Sequence, residues 1–237
     1  MNKTYQIYHW AKKANIYLTD YPRTRDIIRK IFVKWQSTNN HTKIEGKSNK
    51  IDINNSIVKN SSFDINGDRN TIVIGAEAII ENVTFYIRGC DHNIYIGKNC
   101  RFTNGGKIWI EDRNCNLSIG DNTYIVNVDI SITEPNSSIE IGKNCLFAYS
   151  IDIRNGDSHS IIDLASGKRI NLAQNIKIAD HVWIGAYSKI LKGVTINQDS
   201  VVGIASVVTQ DVSSNTVVAG IPAKVIKENI TWDSERI

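Results

Sequence analysis

From Ile176 to Lys224 the chain reads IKIADHVWIGAYSKILKGVTINQDSVVGIASVVTQDVSSNTVVAGIPAK, and its aliphatic residues keep a beat of six: Ile178, Ile184, Ile190, Ile196, Val202 and Val208. Small or turn-forming residues follow several of them, as Ala179, Gly185, Asn197 and Gly203 do. A helix of 3.6 residues per turn cannot hold a six-residue apolar period on one face, whereas a short strand followed by a corner can. Successive units then stack so that the recurring aliphatics fill a common interior, which is the signature of a β solenoid.

A longer repeat precedes this stretch. IDI at Ile51, IVIG at Ile72, IYIG at Ile94, LSIG at Leu117 and IEIG at Ile139 recur at intervals of 21, 22, 23 and 22 residues. Three six-residue sides fall short of these intervals by about four residues, so each middle coil expands at one corner. Asparagine precedes the strands in DRNTIVIG, CDHNIYIG and DRNCNLSIG, and it tolerates the left-handed backbone of tight corners. Between Gly142 and Ala179 the beat breaks, and the interruption gathers Asp152, Arg154, Asp157, His159, Asp163, Lys168 and Arg169. An excursion from a regular scaffold is where a binding site is expected, because the repeats fix the base of the loop while its tip varies.

At 237 residues the chain can bury a sizeable core. It has no run of eighteen apolar residues and no charged-then-apolar leader, which predicts a cytoplasmic protein with neither a membrane span nor a signal peptide. Of the net charge of +4, residues 1–36 carry eight basic against two acidic side chains, leaving the remainder at −2. A surplus confined to one end argues against a nucleic-acid partner. The same end has helical texture: in TRDIIRKIFVKWQ, Ile27, Ile28, Ile31, Phe32 and Trp35 recur at three- and four-residue steps behind Thr24 as N-cap. YQIYHWAKKANIYL reads as a second helix before it. The pair is expected to cap the solenoid, and its basic face leaves open a peripheral contact with an anionic membrane at the inner face. Cys90, Cys100, Cys115 and Cys145 form no CxxC pair and read as small buried residues.

The expected organisation is an N-terminal helical cap over 1–48, a β solenoid over 49–226 with a loop insertion at about 152–175, and a tail over 227–237 read as a short C-terminal helix.

HVWIG, the VVGIASVVTQDV run and AGIPAKVIK resemble the hexapeptide-repeat acyltransferases. The C-terminal part looks like the galactoside and maltose acetyltransferases, and the middle coils with the DSHSI loop look like the capsular and polysialic acid O-acetyltransferases. The resemblance covers about residues 50–230 and implies a left-handed parallel β-helix, a homotrimer, acetyl-CoA as acyl donor and no metal. In that family a histidine lying 24 residues before the tryptophan of VWIG is the catalytic base, and His159 and Trp183 are 24 apart. Carried over, the coenzyme contacts fall on Trp183, Ala186, Ile204, Thr209, Gln210, Lys224 and Lys227. Two depart from the family pattern, since Ile204 stands for a small alanine and Gln210 for a lysine. Lys224 and Lys227 remain to meet the phosphates.

Moving an acetyl group from a thioester to a sugar hydroxyl needs a base for a weakly acidic proton, and neutral imidazole suits this. A carboxylate could orient that imidazole, with Asp157 or Asp152 nearest in sequence, while Asp152 and Arg154 are also candidates for the glycan acceptor. His9 and His41 lie in or near the cap, His92 at a coil corner, and His181 at a corner expected to be exposed. Only His159 combines a loop interruption, nearby charges and the spacing to Trp183. The function expected is O-acetylation of a surface glycan, either capsular or lipopolysaccharide. The alternatives are N-acetylation of an amino sugar, acetylation of an antibiotic, and a binding or structural β-helix without activity. A zinc hydrase built on the same fold is disfavoured, because it needs histidines five apart and no HxxxxH occurs.

Overall fold

The computed structural model describes residues 37–53 and 55–236. Among them the chain forms three sheets of eight, seven and nine strands. Sheet A runs through β1 (His41–Glu45), β4 (Ser62–Asn66), β7 (Val83–Arg88), β10 (Gly106–Ile110), β13 (Val128–Ile132), β16 (Ile151–Arg154), β19 (Lys189–Ile190) and β22 (Val207–Val208). Sheet B starts at β2 (Lys50–Asp52) and reaches β17 (Ile176–Ile178) and β20 (Thr195–Ile196). Sheet C starts at β3 (Ile57–Lys59) and passes through β18 (Trp183–Ile184) and β21 (Val201–Val202) to β23 (Thr216–Gly220) and β24 (Ala223–Glu228). Successive strands visit A, B and C in turn, and each pairs in parallel with a strand of the next coil, which makes a β-helix of triangular section.

Both sequence rhythms have direct structural counterparts. Ile51, Ile72, Ile94, Leu117, Ile139 and Ile176 pair in register down sheet B. Ile178, Ile184, Ile190, Ile196, Val202 and Val208 visit B, C and A twice in order, and all are buried. Phe63 and Phe85 stack inside with ring centroids 4.6 Å apart, and Phe85, Phe102 and Phe147 have no exposed surface.

The corners take left-handed backbone. Asn99, Asn122 and Asn144 hold the same corner of three coils at φ 55°, 60° and 56°, and their amides hydrogen-bond at 3.0 and 3.2 Å. In DRNTIVIG and CDHNIYIG the left-handed residue is Arg69 or Asp91 rather than the asparagine. Asn70 turns inward instead, accepting the His92 backbone N–H at 3.0 Å and donating to the Gly89 carbonyl at 2.9 Å. His92 repeats the pattern one coil on and is fully buried. Its Nδ1 accepts the Cys115 N–H at 3.2 Å, and its Nε2 lies 3.1 Å from the Arg88 carbonyl, which assigns the proton to Nε2.

Burial pushes the His92 pKa below its ordinary 6.5. A depressed folded-state value means that the stability from neutral His92 is complete above pH 6.5 and is lost as pH falls through the folded value. His92→Leu is expected to cost about 1–3 kcal/mol by orphaning the two backbone groups. His92→Asn, copying Asn70, should keep most of the stability and flatten its pH dependence; thermal melts at pH 7 and 5 decide. Cys100 and Cys145 are buried, and burial pushes both thiols up to about 11, in keeping with packing roles.

The expected boundaries shift at three places. The basic helical pair falls within residues 1–36, outside the described residues, but β1 already belongs to sheet A, so the solenoid starts inside the stretch assigned to the cap. β1 was hidden because all five of its residues are exposed and carry no apolar alternation. The insertion starts after Arg154, so Asp152 and Arg154 stand on β16 rather than in the loop. The C-terminal helix does not form. Gly220, at φ 102°, opens a turn, and Ala223–Glu228 folds back antiparallel on β23, where β-branched Val225 and Ile226 suit a strand.

Candidate functional site

The excursion between β16 and β17 leaves at the corner joining sheets A and B. Its tip is a short hairpin, with Asp163 N–H on the Lys168 carbonyl and Ile170 N–H on the Ile161 carbonyl, each at 2.9 Å. Its base is held by Asn171, which is buried. The Asn171 Nδ2 donates to Asp157 Oδ2 at 2.9 Å and to the His159 carbonyl at 2.8 Å, while its Oδ1 accepts the Ile161 N–H at 2.7 Å. Lys192, at the same corner of the next coil, donates to Asp157, and Arg169 pairs with Glu134. These contacts fix the backbone around His159. Its imidazole is exposed and has no hydrogen-bond partner among the described residues.

Asp157 therefore anchors the loop. Its carboxylate is bonded to Lys192 and Asn171 rather than to the imidazole, and the Lys192 hydrogen bond holds its pKa below the usual carboxylate range. Asp152 is likewise engaged, with Arg154 Nη2 at 2.7 Å and Lys189 Nζ at 3.4 Å. Asn171 and Lys192 escaped the sequence reading because neither lies in a motif. Only the fold brings a residue 14 positions after Asp157, and another 35 after it, onto one carboxylate.

Five of the seven residues assigned to the coenzyme, Trp183, Ala186, Ile204, Lys224 and Lys227, gather on sheet C and the corner that follows it. Trp183, Val201, Val217 and Lys227 form one register column on sheet C, with Trp183 and Lys227 exposed. Ala186 is buried at the corner leading from sheet C to sheet A, and Ile204, 66% exposed, holds the equivalent place one coil on. Lys224 pairs with Ala219, the residue a Cβ on Gly203 would touch. Thr209 and Gln210 follow β22 at the A–B corner, the corner of the His159 loop. In a triangular section that corner lies opposite sheet C, so one protomer presents Trp183 and His159 on different sides.

The tail makes a strap rather than a helix. The Ile230 N–H donates to the Asn215 carbonyl at 3.0 Å, and the Ile230 carbonyl accepts from the Asn215 Nδ2 at 2.9 Å. Thr231 donates to Asp199 at 3.3 Å, and Trp232 Nε1 donates to the His181 carbonyl at 2.8 Å. Asn215, Asp199 and His181 continue the asparagine corner of the earlier coils, so the strap descends three coils along one edge. His181 is half-buried rather than exposed: its Nδ1 lies 2.7 Å from Asp199, and Trp232 stacks on its ring at 4.3 Å. Trp232 also comes within 6.1 Å of Trp183, centroid to centroid.

No helix of the described residues is long and apolar enough to cross a membrane, and no cluster of three or more His, Cys, Asp or Glu among them could hold a metal ion.

No family model matches the chain. It is 35% identical over 187 residues to the polysialic acid O-acetyltransferase of Neisseria meningitidis, a match covering 70% of this chain and 86% of that protein. It is 40% identical over 87 residues to the polysialic acid O-acetyltransferase of Escherichia coli, where the match spans 37% of this chain and only 28% of the relative's length. A solved structure of a polysialic acid O-acetyltransferase superposes with a TM-score of 0.78 at 32% identity, covering 83% of this chain and 92% of that one.

Proposed function

Because the chain belongs to the hexapeptide-repeat acyltransferases, we propose that it moves an acetyl group from acetyl-CoA to a hydroxyl of a sialic acid-containing capsular glycan, with His159 as general base. The observation that carries the reading is His159 itself. It is the exposed imidazole of a loop whose base is pinned by Asn171 and Lys192, within a chain akin to the neisserial enzyme over most of that enzyme's length.

The acceptor hydroxyl attacks the thioester carbonyl carbon while His159 takes its proton. The tetrahedral intermediate then collapses, the C–S bond breaks, and the departing coenzyme thiolate recovers the proton. Asp157 acts at one remove by setting the loop backbone. Lys224 and Lys227 meet the coenzyme phosphates, and Trp183 lines the coenzyme on the outer face of sheet C. With Gln210 in place of a cation, these two lysines carry the phosphate charge.

Opposed placement of Trp183 and His159 favours a site made between copies, Trp183 from one and His159 from the next. The loop hairpin supports this, since Ile161, Ile162, Leu164, Ile170 and Leu172 are all exposed, Leu164 at 99%. Such an apolar finger is a contact surface for a second protomer, in a homotrimer. The test is thiol release from acetyl-CoA in the presence of a sialic acid polymer, a neutral glycan and an amino-sugar glycan, with light scattering for mass. Transfer to the sialic acid polymer by a trimer is expected. Transfer only to the aminated glycan, or full activity from a monomer, overturns the reading.

A further inference from the structure

The outer face of sheet A carries a side-chain column that the acetyl-transfer reading does not use. In register, one residue per coil, it runs Asp64, Tyr86, Trp109, Ser131 and Arg154. Neighbouring strands of a sheet stand about 4.8 Å apart, so these side chains form a continuous track along the solenoid. Tyr86 and Trp109 pack with ring centroids 4.8 Å apart. The Lys107 ammonium lies 3.8 Å from the Trp109 centroid and 4.8 Å from that of Tyr86, and the Arg88 guanidinium covers Tyr86 at 3.7 Å.

Beyond Trp109 the side chains become small. Ser131 and Thr133, then Gly156 and Ser158, leave a cavity of about 340 Å³ walled by Trp109 and Lys107 on one side and Arg154 on the other. Its rim reaches Ser158, the residue before His159, so whatever fills it lies at the foot of the proposed catalytic loop. Glu111 and Asp129 also line it.

We infer that this cavity and the Trp109–Tyr86 shelf form an acceptor subsite for a second, carboxylate-bearing sugar residue of a glycan chain that runs along sheet A away from His159. The inference rests on the acetyl-transfer reading for the direction of the chain. The indole that walls the cleft gives a sugar ring an apolar surface to pack on, while the Ser131 and Thr133 hydroxyls donate to or accept from ring hydroxyls and the two carboxylates accept from them. The acidic class of sugar follows from the cations. Arg88 is paired with Asp64 and Arg154 with Asp152, but Lys107 makes no ion pair among the described residues and points over the aromatic shelf. Its ammonium is the group free to meet a sugar carboxylate.

Trp109→Ala and Lys107→Met test the subsite, with melting temperature confirming that each folds and Trp109→Phe as the conservative control. With a sialic acid polymer as acceptor, each of the first two is expected to raise the acceptor KM about tenfold, the loss of one charged or stacking contact, while the KM for acetyl-CoA stays unchanged. Trp109→Phe should recover most of the loss. An unchanged acceptor KM in both variants overturns the subsite but leaves the acetyl-transfer reading standing. Calorimetric titration of the same polymer into coenzyme-free enzyme separates the two ideas. Binding that weakens in Trp109→Ala supports the subsite even where no transfer is detected. No binding, or equal binding of a neutral polymer, overturns it.

Discussion

Replacing His159 with alanine is expected to lower acetyl transfer by about 10²–10⁴-fold, the usual contribution of a positioned general base, while the affinity for acetyl-CoA changes little. In free energy this is about 3–5 kcal/mol of barrier. The selectivity of the effect follows from the geometry. The imidazole makes no hydrogen bond among the described residues, so its removal leaves the loop's anchors intact: Asn171 still bonds the backbone carbonyl at position 159, and Lys192 still holds Asp157. Asp157→Asn should behave differently, loosening the loop and raising the acceptor KM more than it lowers kcat. Steady-state kinetics with both substrates varied, and coenzyme titration of the inactive variant, distinguish these patterns. Undiminished turnover in His159→Ala would falsify the mechanism.

The second large effect is structural. Phe85→Ala should destabilise the protein by about 3–5 kcal/mol, since it removes a fully buried ring and leaves a cavity in an interior that cannot collapse. Phe85 stacks on Phe63 of the preceding coil at 4.6 Å, so the loss extends across the joint between two coils. A solenoid is held by such nearest-neighbour interfaces, and weakening one near the N-terminal end should open the first coils before the rest. Denaturant unfolding followed by hydrogen exchange checks this: protection should fall first in β1 and β4. A loss below about 1 kcal/mol would mean that the site repacks, contrary to a close-packed interior.

How far the chain could be read in advance differs between scaffold and site. The aliphatic beats translate into buried columns, with only Ile51 at the N-terminal end partly buried, because a strand's period of two and a corner every few residues leave little freedom in which side chains point inward. β1 leaves no such mark in the sequence, because exposure on both faces erases that alternation. In the tail, KVIKE satisfies helix and strand alike, and the edge of β23 decides for the strand. Within the site, motif spacing singled out His159 and Trp183, but Asp157 suggested an imidazole partner only through proximity in sequence. Its bond to Lys192 spans 35 residues and becomes visible only when two coils stack.

By itself, the sequence determined the solenoid, the length of its middle coils, the region where the regular winding breaks, and the family to which the chain belongs. All of these are local or periodic properties, set by which residues can turn inward or take a left-handed corner. Tertiary structure alone decided which side chains meet: the Asp157–Lys192 anchor, the strap that carries Trp232 to His181, and the Trp109 track on sheet A. It also separated Trp183 from His159 onto different sides of the prism. The reason is physical: stacking brings together residues one coil apart, and at coil lengths of 16 to 37 residues no local pattern records which groups will lie side by side.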